Sequence, residues 1–431
     1  MKWMALAAAI FLLTAPAAAH GYRILYAFCS QANCADGDEP NSLVSDASRN
    51  LYGTAYHGGA NDAGAIFELK RGGNGYTFTL VYSFCQLADC ADGGYPPPGL
   101  VRDTSGNLYG TTLLGGTGGY SGEVFELLRG RKNWSLKILH SFCSQGTNCA
   151  DGSAPQAGLA YAAQQSGALY DGTSPLFGTT VNGGTNGVYG VAYELAPGRS
   201  GWTYQVLYNF CSLANCADGA NPTAALVQDA AGNLFGTTAG GGVPQDVGTV
   251  FELANAGGSW AENVLYTFCS LPGCTDGADP EAGLVLDSQS NLDGTTLEGG
   301  VSCRVGLAEG CGVAFTLAPS GTETVQHTFC VRLKCADGAG PVGTATPDAN
   351  GDLFAIAEFG GDFGIGSYGG GTLYELAGSR FTLLHKFCAR PACSDGGEPG
   401  SAPIRDASGH LLGTAAVGGA HNGGVVYEYV P

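Results

Sequence analysis

"SFCQLADCADGGYPPPGLVRDTSGNLYGTT", Ser83 to Thr112, holds most of what this sequence reveals. Two cysteines, Cys85 and Cys90, stand with four residues between them, and Asp92-Gly93 and Pro96 follow closely. A ring so small, followed by so sharp a turn, marks a loop whose shape is fixed. Beyond it, "GLVRD" reads as a short apolar strand, "DTSGN" as a tight turn and "NLYGTT" as a second strand. In such a turn the aspartate accepts bonds from the following N–H groups, and glycine supplies the positive φ.

The stretch recurs seven times. Its cysteine pairs are Cys29/Cys34, Cys85/Cys90, Cys143/Cys149, Cys211/Cys216, Cys269/Cys274, Cys330/Cys335 and Cys388/Cys393. A Phe precedes every first cysteine, and D-G-x-x-P follows every second one. The aspartates are Asp36, Asp92, Asp151, Asp218, Asp276, Asp337 and Asp395. An eighth local pair, Cys303 and Cys311, accounts for the rest of the 16 cysteines. An even count, close pairing and an export signal favour disulfides. Zinc, the rival, wants four ligands in one tetrahedron, whereas these pairs fall one per repeat.

Each unit of about 60 residues reads as four strands, because turn residues bracket runs rich in Val, Leu, Tyr, Phe and Thr. Four strands in seven units predict an all-β, seven-bladed β-propeller. The ends support a closed ring. "YRILYAF", Tyr22 to Phe28, matches the fourth strand of a unit, and "GGVVYEYV", Gly423 to Val430, matches the third. The N-terminal strand is therefore expected to complete the last blade, which removes an exposed edge. An open solenoid, the structural alternative, would need polar caps that the chain lacks.

Residues 1–19 read as a secretory signal: Lys2, a short apolar core and Ala17-Ala18-Ala19 before the cut. Residues 20–431 then form one propeller domain, secreted or periplasmic, with no membrane span. Lys2 is the signal's only charge, so cleavage moves the formal balance from −19 to −20. Such a surface repels nucleic acid and anionic lipid. An extracellular protein or a polysaccharide remains as partner.

The run "LVRDTSGNLYGTTLLGGTGGYSGEVFELL", Leu100 to Leu128, resembles the GloVer tandem-repeat family of choice-of-anchor proteins. The resemblance covers nearly all of the mature chain. It implies export and a propeller-like repeat fold, and it brings no established activity. The chain departs from the family by a cysteine pair in every loop and by lacking a C-terminal anchor domain.

In a propeller, the connection between blades and the loop between second and third strands emerge on one face. That face is expected to carry the stapled loops, the aspartates and the Gly-Gly segments, and ligands favour such loops. The seven aspartates are the binding candidates. Their plain reading is that each bonds its own loop; the rival is calcium, which needs six to eight oxygens and so more than one Asp per loop. No metal or other cofactor is expected. Glu68, Glu126, Glu194, Glu252, Glu375 and Glu428 recur in the third strand, with Thr316 in the remaining unit, and read as blade packing or a solvated strand face. Trp134, Trp202 and Trp260 read as blade anchors, with a sugar platform as the alternative. His140, His327 and His385 take the place of a repeated Tyr. No nucleophile elbow, metalloprotease motif, phosphate loop or dinucleotide fingerprint is present. The expected function is therefore non-catalytic binding of a protein or polysaccharide on the loop face. A carbohydrate-active lyase or hydrolase using acidic residues there is the alternative, and a purely structural envelope protein the third reading.

Overall fold

A computed structural model of the chain describes residues 21–73, 75–116, 120–145, 148–244, 246–301, 310–361 and 369–431. The expected signal segment and the Cys303 half of the eighth pair lie outside them. Seven four-stranded antiparallel sheets make a β-propeller. Blade one comprises Asp38–Ser45, Leu51–His57, Ala65–Gly72 and Gly75–Ser83, and the pattern repeats around the ring. The seventh blade is composite. Gly21–Ala27 pairs antiparallel with Val425–Val430, from Gly21 opposite Val430 to Ala27 opposite Val425. The first described residues thus complete the last blade.

Packing explains why the motif repeats. All seven phenylalanines ahead of the rings are fully buried. Each meets an aromatic on the third strand of the blade that follows: Phe28 with Phe67 at 4.9 Å, Phe210 with Phe251 at 5.0 Å and Phe387 with Tyr427 at 5.2 Å. Such aromatic pairs add about 1 kcal/mol each beyond the area they bury. Trp134, Trp202 and Trp260 cross the same seams further out, over Tyr52, Tyr109 and Phe177 of the preceding blade. They are blade anchors. The threonines of the second strand also bridge blades, as where Thr179 and Thr237 Oγ1 donate to the Ala224 and Ala282 carbonyls at 3.0 Å.

One glycine position shows how tightly the seams close. Gly64 holds φ +92°, and an added Cβ would lie 2.5 Å from Cδ of Pro96 in the next blade. The proline of D-G-x-x-P therefore seats on a glycine of its neighbour, and neither residue can be exchanged freely. Blade three's insertion, absent from other units, folds back on blade two. There Tyr170 is buried edge-on to Tyr109, and its carbonyl accepts from Thr104 N–H at 2.9 Å.

Candidate functional site: the stapled loop face

Disulfides close seven rings: Cys29–Cys34, Cys85–Cys90, Cys143–Cys149, Cys211–Cys216, Cys269–Cys274, Cys330–Cys335 and Cys388–Cys393. Both cysteines of every ring hold a left-handed φ. Two rings differ in detail from the rest and still close as the sequence leads one to expect. The ring ending at Cys149 is one residue longer than the others. The ring ending at Cys274 has Gly273 at the left-handed position that Asn215 takes in the ring before it.

The Gly-Gly loops lie against these rings, as expected from the sequence. Gly59, Gly184, Gly300 and Gly419 donate their N–H to the carbonyls of Cys34, Cys149, Cys274 and Cys393 at 3.0, 2.9, 2.8 and 3.0 Å. The two loop sets therefore form one continuous face.

The seven aspartates hold that face from below. Each is 2% exposed or less. Asp218 accepts Tyr208 Oη at 2.7 Å, Ser212 N–H at 2.7 Å and Leu213 N–H at 3.0 Å. Asp36 receives Tyr26, Ser30 and Gln31 in the same way. Burial pushes the Asp36 carboxyl up, but these donors outweigh it and hold the carboxyl below the usual range. Where Tyr is replaced, His140, His327 and His385 face Asp151, Asp337 and Asp395 at 3.2, 3.5 and 3.8 Å. The carboxylates are turned into their own loops, so their part in any site is to fix loop shape. Replacing Asp218 by Ala orphans three donors, and we expect a loss of about 3 kcal/mol in urea unfolding. Millimolar calcium is expected to leave the melting temperature unchanged; a calcium-dependent rise lost in Asp218→Ala would give the carboxylate a metal role instead.

What the loops present is less regular. The residue before each proline is left-handed in every unit, and it sits on the preceding blade through its N–H. Tyr95 donates to the Ala63 carbonyl at 2.7 Å, Asp279 to Val247 at 2.8 Å and Glu398 to Gly370 at 2.9 Å. Left-handed φ at a non-glycine costs about 1–2 kcal/mol, so these bonds hold the residues in place. Two or three residues further on, all seven blades line a central channel of about 650 Å³.

The channel mouth is uneven in charge. On blades five to seven, Asp279, Glu281, Glu358 and Glu398 crowd one sector. Burial, with Glu281 and Glu298 adding, pushes Asp279 up to about 7. Burial, with Glu398 and Glu281 adding, does the same to Glu358. Further round, Tyr56 stacks on Tyr95 at 5.3 Å, and His57 meets the Tyr95 edge at 5.1 Å and Glu39 at 3.8 Å. Outward on the face, Leu87, Leu213, Leu271 and Leu333 stand exposed on their rings. Sequence reasoning found the loops, and His57 beside a Gly-Gly segment, but missed the other residues, because they occupy the variable positions of the motif. The one available signal was Glu39, Asp279 and Glu398, acidic at the same place before the proline.

Fold and face together define a seven-bladed β-propeller with covalently stapled loops at one end of its channel. The chain belongs to the Gloeobacter/Verrucomicrobia repeat family, whose model matches residues 9–175 and 162–306. No curated protein matches it. Among solved structures, the NanB sialidase of Streptococcus pneumoniae aligns at 11% identity over 95% of this chain and 70% of its own, with TM-score 0.43. A candidate 6-phosphogluconolactonase from Bacteroides uniformis aligns at 13% over 75% and 82%, with TM-score 0.39. A candidate glucose dehydrogenase from Thermus thermophilus aligns at 12% over 95% and 100%, also at 0.39.

Proposed function

We propose that the chain is an exported, non-catalytic propeller that binds a polysaccharide or a protein across its stapled loop face. A polysaccharide is the favoured ligand. The supporting observation is the channel mouth, where the Tyr56/Tyr95 stack stands beside carboxyl groups. Aromatic faces stack on sugar rings, and carboxyls accept from sugar hydroxyls. The formal charge of −19 disfavours polyanions. Local disulfides suit an oxidising compartment, and no helix among the described residues is long and apolar enough to cross a membrane.

Affinity electrophoresis through gels containing neutral polysaccharides tests the reading. Migration of the wild-type protein is expected to be retarded in at least one gel, and Tyr95→Ala to weaken that retardation about tenfold. No retardation in any gel, or retardation untouched by Tyr95→Ala, would overturn it. The second reading, a lyase or hydrolase, draws on Asp279 and Glu358. A carboxyl held near 7 beside further carboxyl groups suits general acid–base work. New reducing or unsaturated ends from a polysaccharide, lost in Glu358→Gln, would put catalysis in place of binding.

A further inference from the structure

The seam between blades five and six breaks the ring's pattern three times over. In blades one and two, an aromatic on the second strand faces a glutamate on the third, and its hydroxyl donates to it: Tyr52 to Glu68 at 3.0 Å and Tyr109 to Glu126 at 2.8 Å. In blade five the register partners are Asp293 and Thr316, so the polarity is reversed. Thr316 Oγ1 donates to Asp293 at 2.5 Å and accepts from Gln326 Nε2 at 3.2 Å. The tryptophan that blades two to four send across their seams is also missing, because blade six turns through Gly378 and Ser379 into Arg380–Lys386, with Ser379 at its place.

The missing side chains leave a cavity of about 240 Å³. Phe315, Tyr374 and Leu376 form its apolar floor, with Asp287, Asp293 and Thr316 as polar wall. Tyr374 is fully buried and its hydroxyl has no hydrogen-bond partner. The neighbouring seam also lacks its tryptophan but keeps Phe235 and Glu252 beside its cavity.

We propose that this seam is a binding site for a small organic ammonium ion, its charge held by Asp293 and its apolar body seated on Phe315, Tyr374 and Leu376. Among the described residues, two carboxylates and no lysine or arginine line the cavity, so no described group in its wall neutralises Asp293. A carboxylate drawn into apolar surroundings calls for a counter-charge, and a cation over aromatic faces gains further. Burial, with Asp287 adding, raises the Asp293 carboxyl, a cost that a bound cation would relieve. The site lies among the D-x-x-G-N turns, away from the disulfide rings, and is independent of the binding proposed there.

Isothermal titration of the whole protein at neutral pH with benzylammonium, against its neutral isostere benzyl alcohol, tests this. We expect benzylammonium to bind about tenfold more tightly than the alcohol, and Asp293→Asn to erase that preference. Asp293→Tyr, which restores the tyrosine that blades one and two carry at this place, is expected to abolish binding while melting no lower than wild type. Equal affinity for the two probes, no heat from benzylammonium at about 10 mM, or full binding by Asp293→Tyr would each overturn the proposal.

Discussion

A chain lacking Gly21–Ala27 is expected to lose its cooperative thermal transition, and a synthetic peptide of that sequence to restore it. The segment supplies the outer strand of blade seven, and without it Val425–Val430 becomes an open edge. The loss extends into the core. Tyr22 stacks on His385 of blade six at 3.9 Å, and Tyr26 on Phe78 of blade one at 4.5 Å, so both flanking seams would open. The Arg23–Glu428 ion pair goes too. Tyr22, Ile24, Leu25 and Tyr26 each contribute roughly 2 kcal/mol by burial, a sum comparable with the whole stability of an ordinary domain. Differential scanning calorimetry with and without added peptide is the measurement. A truncated protein melting within a few degrees of the full chain would mean that the blades hold together without a closed ring.

The second large effect is a loss of stability with rising pH. Glu262 and Glu323 stand on the outer strands of blades four and five, each facing a leucine on the neighbouring strand. Tyr204 and Tyr22 hold the same place elsewhere, and their hydroxyls donate to the Asp151 and Asp395 carbonyls at 2.5 Å. Glu262 Oε1 and Glu323 Oε1 are buried without a partner. Burial pushes both carboxyls up to about 7, with Asp218 and Asp276 adding repulsion. An acid whose pKa is higher folded than unfolded stabilises the fold while protonated. That contribution is complete below about 4.5 and is lost as pH rises to about 7. Asp279 and Glu358 act in the same sense.

Two histidines oppose them. Burial lowers His140, and it brings His385 down to about 4, so their contribution grows as pH rises toward 6.5. Four carboxyls outweigh two histidines, and above pH 6.5 the carboxyls act alone. After discounting for partial exposure, each glutamate contributes about 1 kcal/mol, and the melting temperature is expected to fall by roughly 5 °C between about pH 5.5 and 8. The Glu262→Gln/Glu323→Gln pair is expected to flatten about half of that slope. An unchanged slope in the double variant would remove these two groups from the account.

The ring itself was legible because its causes are local and repeated. The Phe before each cysteine, the D-G-x-x-P loop and the D-x-x-G-N turn each state a buried side chain or a backbone geometry, and seven copies leave little choice of architecture. The cysteine pairing was legible for the same reason, even at Cys149 with its longer ring and at Cys274 with its glycine neighbour. The joined ends were legible because a fourth-strand pattern opens the described residues and a third-strand pattern closes them. The inward direction of the aspartates agrees with their plain reading as loop formers, since a carboxylate beside a glycine finds N–H donors in its own loop. The channel mouth was hidden. Glu39, Tyr95, Asp279 and Glu398 fall at a position where the repeat tolerates any residue, and only the fold brings them around one opening. Thr316 was visible as an exception to the third-strand glutamates. That it answers a second exception, Asp293, depends on a cross-strand register that no spacing in the chain announces.

The cysteine bridges have a consequence for how the wheel responds to force and to reductant. Each spans only five or six positions of chain, and none of the seven ties one blade to another. Among the described residues covalent reinforcement is therefore confined to one side of the disc, while the hoop is held shut by non-covalent contacts, namely strand pairing, ring stacking and hydrogen bonds between blades. A thiol reagent should slacken that surface and leave the circumference joined; pulling on the two termini should unzip the circumference and leave every clasp intact.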